Sequence, residues 1–206
     1  MSTPTRPTDA AAPTMSGTAP SPTRRRALPG RLVYVVWAGV AAIWFVLDQA
    51  TKVLAVDLLT GRGVIDAGLG GALEWELVRN TNAAFGIPGF SGMFVIVSVL
   101  VLALVVRALP RTDRLSLAFA YGLVSGGALG NLMDRLFREP GFPNGGVIDF
   151  VKVGWWPKFN LADSAIVVGA LLIAVLMFVV EREEAAASQA RERSRSVRPG
   201  TTGPRG

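Results

Sequence analysis

Four aspartates stand at the edges of apolar runs: Asp48, Asp134, Asp149 and Asp163. The chain has no histidine and no cysteine. Imidazole bases, thiol nucleophiles and imidazole or thiolate metal ligands are therefore absent, and carboxylates are the leading candidates for any chemistry. A carboxylate at a membrane edge is costly unless something pairs with it, which makes each of these acids a functional hypothesis. Two carboxyl groups that share a site cannot both ionise cheaply, so their proton affinities split. One then stays protonated while the other becomes a base. Such a pair can activate water and polarise a peptide carbonyl without any nucleophilic side chain.

Each acid sits in a polar cluster that has two readings. In Asp48-Gln49-Ala50-Thr51-Lys52 the two charges are four apart, on one helical face where they can pair; they either neutralise each other at a helix end or take part in proton transfer. Asn80-Thr81-Asn82-Ala83-Ala84-Phe85-Gly86 is an ordinary turn or one that exposes hydrogen-bonding groups. Within Gly126-Gly127-Ala128-Leu129-Gly130-Asn131-Leu132-Met133-Asp134-Arg135, Gly126 and Gly130 allow close helix approach, and Asn131 shares a face with Asp134 and Arg135. The adjacent Asp134 and Arg135 point in different directions, so each is expected to pair elsewhere, Arg135 with a substrate or lipid group. The alternative is a structural polar network tying the helices together. Gly146-Val147-Ile148-Asp149-Phe150-Val151 sets Asp149 among apolar neighbours, where burial raises a carboxyl pKa, unless it only caps a loop turn. In Phe159-Asn160-Leu161-Ala162-Asp163-Ser164, Asn160 is a candidate N-cap with Asp163 three positions later, a near relative of the capping box. The same geometry fixes Asp163 where a second carboxylate can meet it.

The elements that must position these clusters are membrane spans. Half of the 206 residues are hydrophobic and the mean hydropathy is +0.42, too apolar for an ordinary soluble domain. A span needs roughly 20 mostly apolar residues. Four segments come close: Leu32 to Leu47, continuing as helix past Asp48 to about Val56; Met93 to Leu109; Leu115 to Leu136; and Leu161 to Val180. Arg107, Arg111 and Arg114 make the connection between the second and third spans basic, and Arg24 to Arg26 and Arg191 to Arg198 make both tails basic. The positive-inside rule then puts both ends in the cytoplasm and the other two connections outside. The basic tails fit anionic lipid better than nucleic acid, because no folded basic module accompanies them. Residues 1–30 and 182–206 are expected to be disordered tails of low hydrophobicity, flanking a four-span domain over residues 31–181. Alternation of Leu73, Trp75 and Leu77 with Glu74 and Glu76 predicts a half-buried strand, hence a small β-sheet on the outer face. Trp155, Trp156 and Pro157 in the second outer loop read as interfacial anchors. The fold class is thus an α-helical membrane protein of four transmembrane helices with a small sheet and a loop on the extracytoplasmic face, and all four acids fall at the outer membrane edge.

Asp48 to Lys52, Asn80 to Gly86, Gly130-Asn131 with Asp134-Arg135, Val147 to Phe150, and Phe159-Asn160 with Ala162-Asp163 follow one another as in lipoprotein signal peptidase, the bacterial type II signal peptidase, which the chain resembles over about residues 32 to 180. The resemblance implies an aspartic endopeptidase of the cytoplasmic membrane that cuts diacylglyceryl-modified prolipoproteins before the lipidated cysteine. It implies Asp149 and Asp163 as the catalytic pair. Asn80, Asn131, Arg135 and Asn160 would line the site, with Asp48, Lys52 and Asp134 in support. It calls for no cofactor, no metal and no nucleic acid, and for a monomer in membrane lipid. Asn82 departs from the family's usual glycine; Asn is among the few residues that tolerate positive φ, so the turn can survive. A rival from another class is a proton- or cation-coupled transporter, which also uses intramembrane carboxylates. A third is a non-catalytic assembly protein whose polar residues only join helices.

Overall fold

A computed structural model describes residues 30–81, 91–142 and 144–196. Among these, four long helices and a three-stranded antiparallel sheet account for the architecture. Helix α1 runs Gly30–Leu59, α2 Ser91–Ala108, α3 Leu115–Phe137 and α4 Leu161–Ser196. A short 3₁₀ turn, Leu109–Arg111, ends α2 where Pro110 interrupts the helix. All four helices are long and apolar enough to cross a membrane, and their outward faces carry large exposed apolar side chains such as Ile43, Ile96, Leu104 and Leu171. Such faces suit lipid rather than water as solvent.

Helix α3 is the centre of the bundle and packs against α1, α2 and α4. Its small residues make this possible. A Cβ on Gly126 would come within 2.8 Å of the Ala41 carbonyl oxygen, and one on Gly130 would strike the Asp48 carboxylate. Gly127 faces the other way, against Ala162 and Ile166 of α4. The Gly126–Gly130 face predicted for close approach is therefore the α1 contact, and glycine at 130 is what lets a buried carboxylate lie against the α3 backbone.

The sheet caps one end of the bundle. Strand β1, Ile65–Asp66, pairs with β2, Leu73–Asn80, and β2 pairs with β3, Val147–Val153. The predicted strand at Leu73 to Leu77 is present and extends to Asn80. The second outer connection is not plain loop as expected, because β3 occupies its middle. Ile148 and Phe150 of β3 join Ala55 and Leu59 of α1 in one buried apolar cluster. By strand alternation Val147 and Asp149 point to the opposite face, and both line a cleft. Burial of one face against α1 thus aims the acid on the other.

A second correction concerns the carboxyl end. Residues from 182 were expected to be disordered, yet α4 continues as helix to Ser196. Glu183, Glu184, Ala185, Ala186 and Ala187 are good helix formers, and a preceding span gives them a nucleus to extend. Arg114, before α3, pairs with Glu183 at 2.7 Å and ties this extension to the bundle. The amino-terminal tail, the last ten residues, and Asn82 through Gly86 lie outside the described residues.

Candidate active site

Asp149 and Asp163 line one cleft of about 350 Å³, formed between the sheet, α2, α3 and α4. Its polar wall includes Asn80, Asn131 and Arg135. Its apolar wall includes Phe94 and Val97 of α2 and Ile166 of α4. Asn160 joins the two acids. Its Nδ2 donates to Asp149 Oδ1 at 2.7 Å, and its backbone N–H donates to Asp163 Oδ2 at 3.1 Å. Asp163 N–H donates back to Asn160 Oδ1 at 2.9 Å. This is the reciprocal capping box predicted for the start of α4. The structural reading of Asp163 and its place beside a second carboxylate are therefore one arrangement.

The remaining oxygens are also held by amides. Asn80 Nδ2 donates to Asp149 Oδ2 at 3.0 Å, and Asn131 Nδ2 donates to Asp163 Oδ1 at 2.7 Å. Asp149 is only 3 % exposed. Burial pushes its carboxyl up from 3.8 to about 6, with the Asp163 charge adding to the shift, while the amide donors Asn80 and Asn160 pull it back. A carboxyl at this position exchanges its proton near neutral pH, as a general acid or base must.

Asp48 and Asp134 are brought to the same region but not to the cleft surface. Both are fully buried, and Lys52 lies between them at 2.8 Å from Asp48 Oδ2 and 2.9 Å from Asp134 Oδ2. The i, i+4 pairing of Asp48 with Lys52 is as predicted; Lys52 also reaches Asn131 Oδ1 at 2.9 Å. Asp48 Oδ1 accepts the Ala162 N–H at 2.9 Å, which anchors the first turn of α4 to α1. Asp134 Oδ1 takes Arg138 Nε at 2.6 Å, and Asp134 Oδ2 accepts the Ile148 N–H at 3.3 Å, which anchors β3.

Asp134 and Arg135 do part company, as their adjacency required. Arg135 turns into the cleft, 6 % exposed, with its guanidinium 4.6 Å from the Phe94 ring centroid. Its Nη1 is buried and has no hydrogen-bond partner among the described residues. A buried donor left unpaired is expensive, and an oxygen brought into the cleft could satisfy it.

Several site residues escaped the sequence reading. Gln49 donates to Asp48 Oδ2, the Gly130 carbonyl and Asp134 Oδ1; it stood inside a quoted cluster, and its spacing to Gly130 is not legible along the chain. Arg138 was recoverable, because it lies four residues after Asp134 and such pairs meet on a helix. Phe94 and Val97 carry no local signal in an apolar run.

Comparison with known proteins gives one answer. The family described as Signal peptidase (SPase) II matches residues 40–179. A lipoprotein signal peptidase of Rhodococcus jostii is 47 % identical over 152 residues, which is 72 % of this chain and 74 % of that protein. One from Mycolicibacterium smegmatis is 44 % identical over 138 residues, covering 66 % of this chain; the chain spans 58 % of that protein's length. Among solved structures, a bacterial membrane enzyme determined by the in meso method at 1.9 Å resolution is 26 % identical, with a TM-score of 0.58, covering 71 % of this chain and 92 % of its own.

Proposed function

The chain belongs to the signal peptidase II family, and from that premise we propose that Asp149 and Asp163 are the catalytic pair with which it cuts diacylglyceryl-modified prolipoproteins before the lipidated cysteine. The protein is a multi-pass membrane aspartic endopeptidase that removes signal peptides from prolipoproteins. The observation that carries the assignment of the pair is Asn160, which donates to both acids in one cleft.

Asp149 holds the shared proton, in keeping with a carboxyl raised to about 6 by burial. Asp163 takes a proton from a water molecule as its oxygen attacks the scissile carbonyl carbon. Asp149 gives its proton to the carbonyl oxygen, and a tetrahedral diol forms. Collapse of the diol breaks the C–N bond, the amine nitrogen takes up the proton held by Asp163, and a diol hydroxyl returns its proton to Asp149. Acid–base help of this kind contributes about 10²–10⁴-fold. Asn80, Asn131 and Asn160 hold the carboxyls in place. Arg135 offers its unpaired Nη1 to an oxygen of the substrate backbone or its lipid. Asp48, Lys52 and Asp134 support the wall behind the site.

The signal helix of the precursor enters beside α2 and α4, which both pack on α3 and flank the cleft through Phe94, Val97 and Ile166. Its acyl chains extend into membrane lipid. The basic connection around Arg107 and Arg111 favours the cytoplasmic side for that end of the bundle, which puts the sheet and the cleft at the outer leaflet and both termini inside. One chain supplies every group named, which supports a monomer. The transporter reading gains no support from the relatives or from the site, where the acids gather at one end of the bundle.

Purified protein incubated with a diacylglyceryl-modified precursor and with the same precursor unmodified tests the substrate class. Cleavage of the modified form alone is expected. Equal cleavage of both would remove the lipid from the recognition.

A further inference from the structure

Lys52 is 0 % exposed, and an ammonium has three N–H donors. Its Nζ meets three acceptors: Asp48 Oδ2 at 2.8 Å, Asp134 Oδ2 at 2.9 Å and Asn131 Oδ1 at 2.9 Å. The two carboxylates already balance Lys52 and Arg138, which also pairs with Asp134. The third donor goes to a neutral amide that faces Asp163 on its other side.

An amide between an ammonium and a carboxylate has one favourable orientation. Its oxygen must meet the cation and its NH₂ must meet the acid; the flipped form would set NH₂ against ammonium and oxygen against carboxylate. Asn131 adopts the favourable one, Oδ1 to Lys52 at 2.9 Å and Nδ2 to Asp163 at 2.7 Å. The same Asn131 Oδ1 accepts Asn160 Nδ2 at 3.2 Å, and that Nδ2 also donates to Asp149 Oδ1 at 2.7 Å. One cation therefore fixes the Asn131 amide directly and, through it, adds to the hold that the Asp163 N–H already has on the Asn160 amide, and the two amides reach both acids.

We propose that Lys52 is a positioning residue for proteolysis, its ammonium setting the Asn131 amide so that Asp163 meets an N–H donor rather than an amide oxygen, and reinforcing through Asn131 the Asn160 amide that meets Asp149. The inference rests on Asp149 and Asp163 being the catalytic pair. It goes beyond a general supporting role, because it assigns Lys52 an effect on turnover separable from its effect on folding. A misoriented amide would leave the acids in place but not aimed, and small displacements of a reacting group cost up to about 10²-fold in rate.

The test keeps the buried charge balanced. Lys52→Gln and Lys52→Met are each combined with Asp48→Asn, and kcat and KM are measured on a diacylglyceryl-modified precursor, with thermal unfolding used to count folded molecules. Glutamine can still donate to Asn131 Oδ1 without a charge; methionine cannot. Per folded molecule, kcat is expected to fall in the order parent, Gln, Met, with the Met form down about 10- to 100-fold and KM unchanged within about twofold. Gln and Met forms with equal kcat, or either at the parental kcat, would overturn the proposal and leave Lys52 a structural tie. Should the Met form not fold, the Gln form alone decides, and a parental kcat per folded molecule overturns it. Asp163→Asn is run alongside. Full turnover there would overturn the catalytic pair itself, whereas an inactive Asp163→Asn beside fully active Lys52 forms would overturn only the positioning role.

Discussion

Two pairs of aspartates lie at the same end of one bundle and differ in the charge of their neighbours. Asp48 and Asp134 share Lys52, and Asp134 also holds Arg138, at 2.6 to 2.9 Å. Asp149 and Asp163 are held by amides and a backbone N–H, and among the described residues neither forms an ion pair. A cation in contact ties a carboxylate to a fixed partner through a charge-assisted bond. Neutral donors orient a carboxyl while leaving it able to gain or lose a proton. Residue type is identical in the two pairs, so the partners decide which acids hold the fold together and which are available for chemistry.

The largest effect that would break this contrast is on turnover. Asp149→Asn and Asp163→Asn are each expected to lower cleavage of a lipid-modified precursor by at least about 10²–10⁴-fold, with the protein still inserted and its unfolding midpoint retained. An amide at either position that left cleavage near the parental rate would reverse the assignment.

Asp134→Asn should do the opposite. It removes one carboxylate from between Lys52 and Arg138, and breaking a buried pair by deleting one partner costs about 3–5 kcal/mol. Thermal or denaturant unfolding in detergent should show that loss, while the folded fraction keeps a turnover far above that of Asp149→Asn or Asp163→Asn. A stable but inactive Asp134→Asn would move this residue from the fold to the chemistry.

The pH dependence of stability sharpens the contrast from the other side. Burial raises the Asp149 carboxyl from 3.8 to about 6. Between those values the folded protein binds a proton that the unfolded chain releases, so stability falls as pH rises through this window. Above about pH 7 the full cost of ionising a buried acid is present, about 3 kcal/mol for a shift of this size. Asn cannot ionise. The stability of Asp149→Asn relative to the parent should therefore climb between pH 4 and pH 7 and level off beyond. A difference that stays flat across this range would mean that the site is wetter than its 3 % exposure indicates.

Much of this was legible along the chain, for reasons that mark where legibility ends. The spans follow from long apolar runs, and the Asp48–Lys52 contact and the Asn160–Asp163 box follow from helical spacing of three and four. Strand β3 was missed because Val147, Ile148 and Phe150 are apolar on both faces and so lack the alternation that revealed β2. The helical extension of α4 was missed because its low hydrophobicity suggested a disordered tail, although its alanines and glutamates favour helix. That Asn131 stands between Lys52 and Asp163 depends on the packing of α1, α3 and α4, which no local pattern specifies. The four acids and their neighbours in sequence, Lys52 and Asn160, are visible along the chain; the contacts between distant segments, which separate the acids into two kinds, are not.

The smallest expected effect tests the glycine that allows this packing. A Cβ at position 130 would strike the Asp48 carboxylate, whose two oxygens already serve Lys52, Gln49 and the Ala162 N–H. That carboxylate cannot move away without loosening α4 or uncovering Lys52. Gly130→Ala should therefore destabilise by about 1–3 kcal/mol, the usual cost of overpacking a close contact. Part of that is offset by the better helix propensity of alanine, up to about 1 kcal/mol. Gly39 isolates the offset, because it lies within α1 and nothing among the described residues stands within 4 Å of a Cβ built there. Gly39→Ala should raise the unfolding midpoint or leave it unchanged, while Gly130→Ala lowers it. If the two substitutions moved the midpoint equally, the Asp48 side chain would have room to shift, and the charged network would be a looser structure than the distances around Lys52 describe.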